Sequence, residues 1–208
     1  MFSKDELFMI RNKLDIPDIV RLGSTNKRIR EKINLSTCDI LSYRLTILRE
    51  KMWLKMDIDQ LYTLPTLYFD NRQLTSVPKE ICLLNNLQEL YLHDNKIEEL
   101  PNGFSQLQNL RKIILSSNNF KVFPSQLLKM KNLEEIYLGN NQITEIPKEL
   151  SQLKNLVRLN FSHNFVTILP KELGELNNLQ GIYFRGNQIT KIPKKLRSIP
   201  RLFVSLFY

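Results

Sequence analysis

Acid–base or metal chemistry needs particular side chains at particular separations, and the 208-residue sequence offers few of them. His93 and His163 are the only histidines, 70 residues or about three 23-residue periods apart, and both are expected on the concave rim. If each period contributes one strand, roughly 14 Å of strand spacing divides them. Two imidazoles at that distance cannot share a metal or act as one proton-transfer pair. Cys38 and Cys82 stand alone, no glycine-rich phosphate loop is present, and no nucleophile has a base at recognisable spacing. The expectation is a protein that is not an enzyme and holds neither cofactor nor metal. The residue types that do recur suit recognition. Tyr68, Tyr91, Ile114, Tyr137, Asn160 and Tyr183 keep the 23-residue step, among charged neighbours Glu89, Lys112, Glu135, Arg158 and Arg185 and beside His93. Tyrosine is a frequent anchor at interfaces, with large apolar area, two side-chain torsions and a hydroxyl.

The elements that must position this column follow from the repeat itself. Prolines 78, 101, 124, 147, 170 and 193 fall every 23 residues, and Asn95, Asn118, Asn141, Asn164 and Asn187 keep the same step. In register the segments read Leu87-x-x-Leu90-x-Leu92-x-x-Asn95-x-Ile97-x-x-Leu100-Pro101-x-x-Phe104-x-x-Leu107, and the frame returns from Leu110, Leu133, Leu156 and Leu179. The alternation in Leu90-Tyr91-Leu92 predicts a short strand, and the three-residue spacing of Leu150 and Leu153 predicts a helical or 3₁₀ return. A buried Asn after each strand can donate to one backbone carbonyl and accept from a backbone N–H, forming a ladder where the chain bends. Proline fixes φ and suits a first helical position.

This frame resembles the leucine-rich repeat family, which implies an α/β repeat solenoid, a horseshoe with one short parallel strand per 23-residue repeat. One repeat cannot bury its apolar faces alone, so neighbours must stack and the ends must be capped. The repeat from Leu64 carries Arg72 in the asparagine position, as a terminal turn would. Leu202-Phe203-Val204-Ser205-Leu206-Phe207-Tyr208 starts a seventh strand and leaves an apolar edge. A short closing strand of a monomer is one reading of it, and an edge-strand dimer is the other.

A formal charge of +9 suggests nucleic acid first, but position matters more than the sum. Across the predicted strand surface Asp70, Glu89, Asp94 and Glu135 offset Lys96, Lys112, Arg158 and Arg185. The surplus falls on the returns, with Lys148, Lys171, Lys194, Lys195, Arg197 and Arg201, and in the segment from Lys27 to Lys32. Scattered lysines read as a solvated face, and no specific nucleic acid is expected. The start lacks a basic segment followed by an apolar run, no stretch is apolar enough to span a bilayer, and two cysteines are too few for a secreted disulfide framework. An intracellular, cytoplasmic protein without membrane insertion is expected, with the nucleus or a host-cell cytosol left open.

The tyrosine column has two readings. It is a binding surface roughly 24 Å long, or it is a set of cross-strand aromatic pairs that stiffen the sheet. The first sixty residues bear on the choice. Leu7, Ile10 and Leu14 suggest one short helix, Pro17 to Leu22 a second and Asn26 to Ile33 a third, broken by Gly23-Ser24-Thr25. Residues 3–33, with Asp5-Glu6-Leu7, Leu14-Asp15-Ile16-Pro17-Asp18-Ile19-Val20-Arg21-Leu22 and Asn26-Lys27-Arg28-Ile29-Arg30, resemble the F-box, with Ser3-Lys4 where that family has Leu-Pro. The resemblance implies that Leu7, Ile10, Leu14, Ile16, Pro17, Ile19 and Leu22 form a helical core and a face for a Skp-type adaptor. Between Cys38 and Met56, Leu41, Leu45, Leu48 and Met52 mark an amphipathic connecting helix.

The expected organisation is a small all-α N-terminal unit at 1–36, a linking helix at 37–60 and repeats at 61–208. F-box proteins with leucine-rich repeats are, as a family, substrate receptors of SCF-type cullin-RING ubiquitin ligases. That resemblance implies a receptor holding an unknown protein substrate on Tyr68, Glu89, Tyr91, His93, Lys112, Ile114, Glu135, Tyr137, Arg158, Asn160, Tyr183 and Arg185. The alternative is a plain interaction scaffold for a small GTPase or phosphatase, its N-terminal helices serving only as a cap.

Overall fold

The structure is a computed structural model that describes residues 58–200 and 202–205. The expected N-terminal helices, the adaptor-face residues from Leu7 to Leu22 and the linking helix between Cys38 and Met56 lie outside the described residues, as do residues 206–208 after the seventh strand. The chain divides into two compact units, Met1–Leu61 and Tyr62–Tyr208, and the repeats form the second.

Seven three-residue strands follow a short helix, α1 (Ile58–Thr63): β1 (Thr66–Tyr68), β2 (Glu89–Tyr91), β3 (Lys112–Ile114), β4 (Glu135–Tyr137), β5 (Arg158–Asn160), β6 (Gly181–Tyr183) and β7 (Phe203–Ser205). They pair in chain order in one parallel sheet, which makes the second unit an α/β repeat solenoid. Thr66 stands beside Glu89 and Leu67 beside Leu90, and this 23-residue register holds as far as β6. The last step is one residue shorter, with Gly181 beside Phe203.

Side chains alternate across each strand, so the middle residue points into the core. Leu67, Leu90, Ile113, Ile136, Leu159 and Ile182 are buried, as are Leu92, Leu115, Leu138 and Phe161 just past their strands. Each buried aliphatic or aromatic side chain contributes on the order of 1.5–3 kcal/mol gross, which outweighs chain entropy only because both neighbours cover it. Phe161 and Phe184 stack within this core at 6.0 Å.

The returns are five 3₁₀ turns, Lys79–Leu83, Asn102–Gln106, Ser125–Lys129, Lys148–Gln152 and Lys171–Glu175, and then a short α-helix, α2 (Lys194–Arg197). Proline sits one residue earlier than a first helical position. Pro101 is the N-cap, extended at φ −62° and ψ 147°, and its carbonyl accepts the first turn bond from the Phe104 N–H at 2.9 Å. Pro78, Pro124, Pro147, Pro170 and Pro193 are also N-caps with φ near the value that the ring imposes. Proline therefore stops the extended segment and offers an acceptor.

A second constraint precedes each ladder asparagine. Asn71, Asp94, Ser117, Asn140, His163 and Gly186 occupy one repeat position and all have positive φ, between 53° and 70°. Here the chain turns from the strand into the core. Asn, Asp and Gly tolerate this left-handed region, whereas Ser117 adopts it at a cost of about 1 kcal/mol.

Candidate functional site

The outward side of the sheet carries three columns that the strands set in register. The first runs Thr66, Glu89, Lys112, Glu135, Arg158, Gly181 and Phe203, and the second Tyr68, Tyr91, Ile114, Tyr137, Asn160 and Tyr183. Asp70, His93, Ser116, Gly139, Ser162 and Arg185 follow two positions later, each at the end of its strand. Residues two apart on a strand share a face, so the first column meets the second.

Polar contacts bind the columns together. The Tyr91 hydroxyl donates to Glu89 Oε2 at 2.7 Å and the Tyr137 hydroxyl to Glu135 Oε2 at 3.0 Å. Glu135 also takes Arg158, through Nη1 to Oε1, and Lys112 at 3.6 Å. The Lys112 ammonium lies 5.3 Å from the Tyr91 ring centroid and 6.0 Å from that of Tyr137, so it bridges two tyrosines as a cation–π partner. Tyr68 and Tyr91 stack at 4.6 Å, yet Tyr68 remains 60% exposed.

The tyrosines are not equivalent. A Cβ at Gly181 would stand 3.0 Å from the Tyr183 ring, so this ring folds over the bare glycine and faces Phe203 at 5.6 Å. Asn160 turns back and accepts from the Ser162 N–H at 2.9 Å. Ile114, between Tyr91 and Tyr137, is half-buried.

These contacts shift protonation. The hydrogen bond to Glu89 holds the Tyr91 phenol above its ordinary value, and burial followed by the bond to Glu135 does the same for Tyr137. Burial pulls Lys112 down, but the Tyr91 hydroxyl and Glu135 outweigh it and leave the ammonium held more firmly than usual. The hydrogen bond from Arg158 to Glu135 raises the guanidinium further. The face thus keeps neutral phenols and fixed charges at neutral pH, which suits contact and steering.

The two histidines stand in different environments. His93 Nδ1 lies 2.6 Å from Asp70 Oδ1, and the His93 backbone N–H donates to the same oxygen at 3.0 Å. His163 is not in that column. It occupies the left-handed position after β5, packed where a Cβ on Gly186 would come within 2.4 Å of its Nδ1. Among the described residues no group of three or more His, Cys, Asp or Glu is placed to hold a metal ion, and no helix is long and apolar enough to cross a membrane. Cys82 is buried in the first return, where its Sγ would lie 3.4 Å from a Cβ on Gly103.

The buried asparagines join neighbouring turns. Asn118 Nδ2 donates to Leu92 O at 2.9 Å and Leu115 O at 3.1 Å, while its Oδ1 accepts from the Ile97 N–H at 3.0 Å. Asn95, Asn141, Asn164 and Asn187 repeat this arrangement. Sequence reasoning missed a second ladder. Asn109, Asn132, Asn155 and Asn178 each donate to a backbone carbonyl of the preceding turn, at 2.7 to 3.0 Å. Their own 23-residue step was the available signal.

Charge is segregated along the open face although its sum is small. Asp70, Glu89 and Asp94 against Lys96 lie at the β1–β2 end, and Lys112, Arg158 and Arg185 against Glu135 lie from β3 to β6.

The family described as a leucine-rich repeat region matches residues 49–165, more than half of the chain. No curated protein matches it. Among solved structures, a leucine-rich repeat protein of Leptospira interrogans is 35% identical with a TM-score of 0.59, over 70% of this chain and 43% of that one. An internalin of Listeria monocytogenes is 24% identical with a TM-score of 0.60, over 69% of this chain and 40% of its own, a likeness of fold alone. The chain spans less than half the length of either.

Proposed function

Because the chain belongs to the leucine-rich repeat family, a fold that serves as a protein-interaction module, we propose that it is a non-enzymatic binder that holds a protein partner on the open face of its sheet. The observation that carries this reading is the tyrosine column, in which Glu89 and Glu135 fix the hydroxyls of Tyr91 and Tyr137 while Tyr68 stays largely exposed. Rings held in one rotamer lose little entropy when a partner covers them. Glu89, Glu135, Arg158 and Arg185 would set specificity through charge complementarity. His93, Lys112, Ile114, Asn160 and Tyr183 complete the contact surface.

The resemblance of residues 3–33 to the F-box supports a finer reading, an intracellular substrate receptor that docks on a Skp-type adaptor of an SCF cullin-RING ubiquitin ligase. Its contribution would be proximity, raising the effective concentration of a substrate lysine at a charged enzyme. The test is retention of purified Skp-type adaptor by the full chain and by a Leu7→Asp, Ile10→Asp variant. Binding lost only in the variant, with native circular dichroism, supports the receptor. If neither protein binds, the receptor reading falls and a scaffold remains. Replacing Tyr91 and Tyr137 by Ala should separately abolish recovery of the bound substrate, and unchanged recovery overturns the assignment of the open face.

A further inference from the structure

The open face presents two ends of opposite sign. Asp70 and Glu89 lie in the outward columns of the first two strands beside Thr66, Tyr68, Tyr91 and His93, with Asp94 just past β2, and the exposed Lys96 offsets one of these three carboxylates. Glu135 is engaged by both Lys112 and Arg158, so together these three leave a positive surplus. Arg185, exposed beyond β6, makes no ion pair among the described residues and adds to it.

Four strand spacings separate Glu89 from the level of Arg185, roughly 19 Å. Lys112, beside Glu89 in register, takes up part of its field, but Arg158 and Arg185 lie three and four strand spacings from Glu89, beyond the Debye length of about 8 Å in physiological salt, and act on their own part of a ligand. The near-zero sum hides a polarity.

We propose that the partner of the open face is a polypeptide segment charged at both ends, basic where it covers β1 and β2 and acidic where it covers β5 and β6, with apolar or aromatic residues between. This rests on the open face being the binding surface. The tyrosines would receive the middle of the segment, and the charged ends would fix its direction. A segment laid in reverse would set its acidic end on Glu89 and Asp94 and its basic end on Arg158 and Arg185.

The test is a selection from a displayed library of random peptides about 16 residues long, long enough to span the face whether extended or helical. The full chain is the bait. Enriched peptides should share a basic end and an acidic end in one order. Their affinity should fall about tenfold for Glu89→Gln with Asp94→Asn, and again for Arg158→Gln with Arg185→Gln, with circular dichroism unchanged. Enriched peptides that lose binding on Tyr91→Ala but carry uniform or no charge would overturn the polarity and leave the open face standing. Peptides indifferent to Tyr91→Ala, or no enrichment at all, would count against both.

Discussion

Two asparagine ladders run through the repeats with one period, both donating to carbonyls of the preceding turn, but they lie in different surroundings. Asn95, Asn118, Asn141 and Asn164 are 4–8% exposed, whereas Asn109, Asn132, Asn155 and Asn178 face solvent. The inner amide both donates and accepts, so its loss orphans a buried backbone N–H that water cannot reach and weakens two shared carbonyl contacts. The outer amide only donates, and the carbonyl it serves can turn to water. Burial, not periodicity, decides how much each ladder stabilises.

The largest test of this contrast is Asn141→Leu. It leaves the buried Phe120 N–H without its partner and takes one of two amide donors from the Leu115 and Leu138 carbonyls, which keep Asn118 and Asn164, and stability by denaturant titration should fall by on the order of 3 kcal/mol. A loss below about 1 kcal/mol would break the comparison. Gly186→Ala probes the backbone just before the ladder. Its φ of +70° and a Cβ 2.4 Å from His163 Nδ1 should lower stability by about 2 kcal/mol, and replacing His163 by Ala as well should recover only the contact portion. For the outer ladder, Asn132→Ala should change stability by about 0.5 kcal/mol. A cost equal to that of Asn141→Leu would mean that solvent does not replace the lost bond.

The smallest effect concerns the open face. Both phenols titrate above the unfolded value of 10.0, so their bonds contribute fully below that pH and are lost as pH rises through the folded values. Ultraviolet titration should show Tyr91 ionising earlier in Glu89→Ala and Tyr137 earlier in Glu135→Ala, with stability at neutral pH almost unchanged. Unshifted titration would remove Glu89 and Glu135 as the cause.

The period, the strand positions and the central column were legible because burial imposes a period of two on each strand and one Leu–Asn–Pro frame on each turn. Alternation about Leu90 and Leu92 alone turns Tyr91 outward. The left-handed position was not legible, since Asp94, Ser117, Asn140 and His163 share a backbone conformation without sharing a side chain. The outer ladder escaped because exposed asparagine is ordinary at surfaces and attracts no structural reading. The step from a first helical position to the N-cap moved every proline by one residue, a difference that fixed φ alone does not resolve. The uneven charge along the open face was hidden because its charges cancel when summed over all the strands and separate only in strand order.

The constant register has an evolutionary consequence. Because Leu90, Ile113, Ile136 and Leu159 occupy equivalent places, a duplicated or excised block of 23 residues restores every ladder contact at the new junction. A block one residue longer or shorter keeps its core side chains inward only where the return absorbs the difference. Whole-turn recombination can thus change the reach of the sheet without inventing a new core. The 22-residue step from Gly181 to Phe203, which still sets Val204 beside Ile182, marks where a 23-residue block would not fit unchanged.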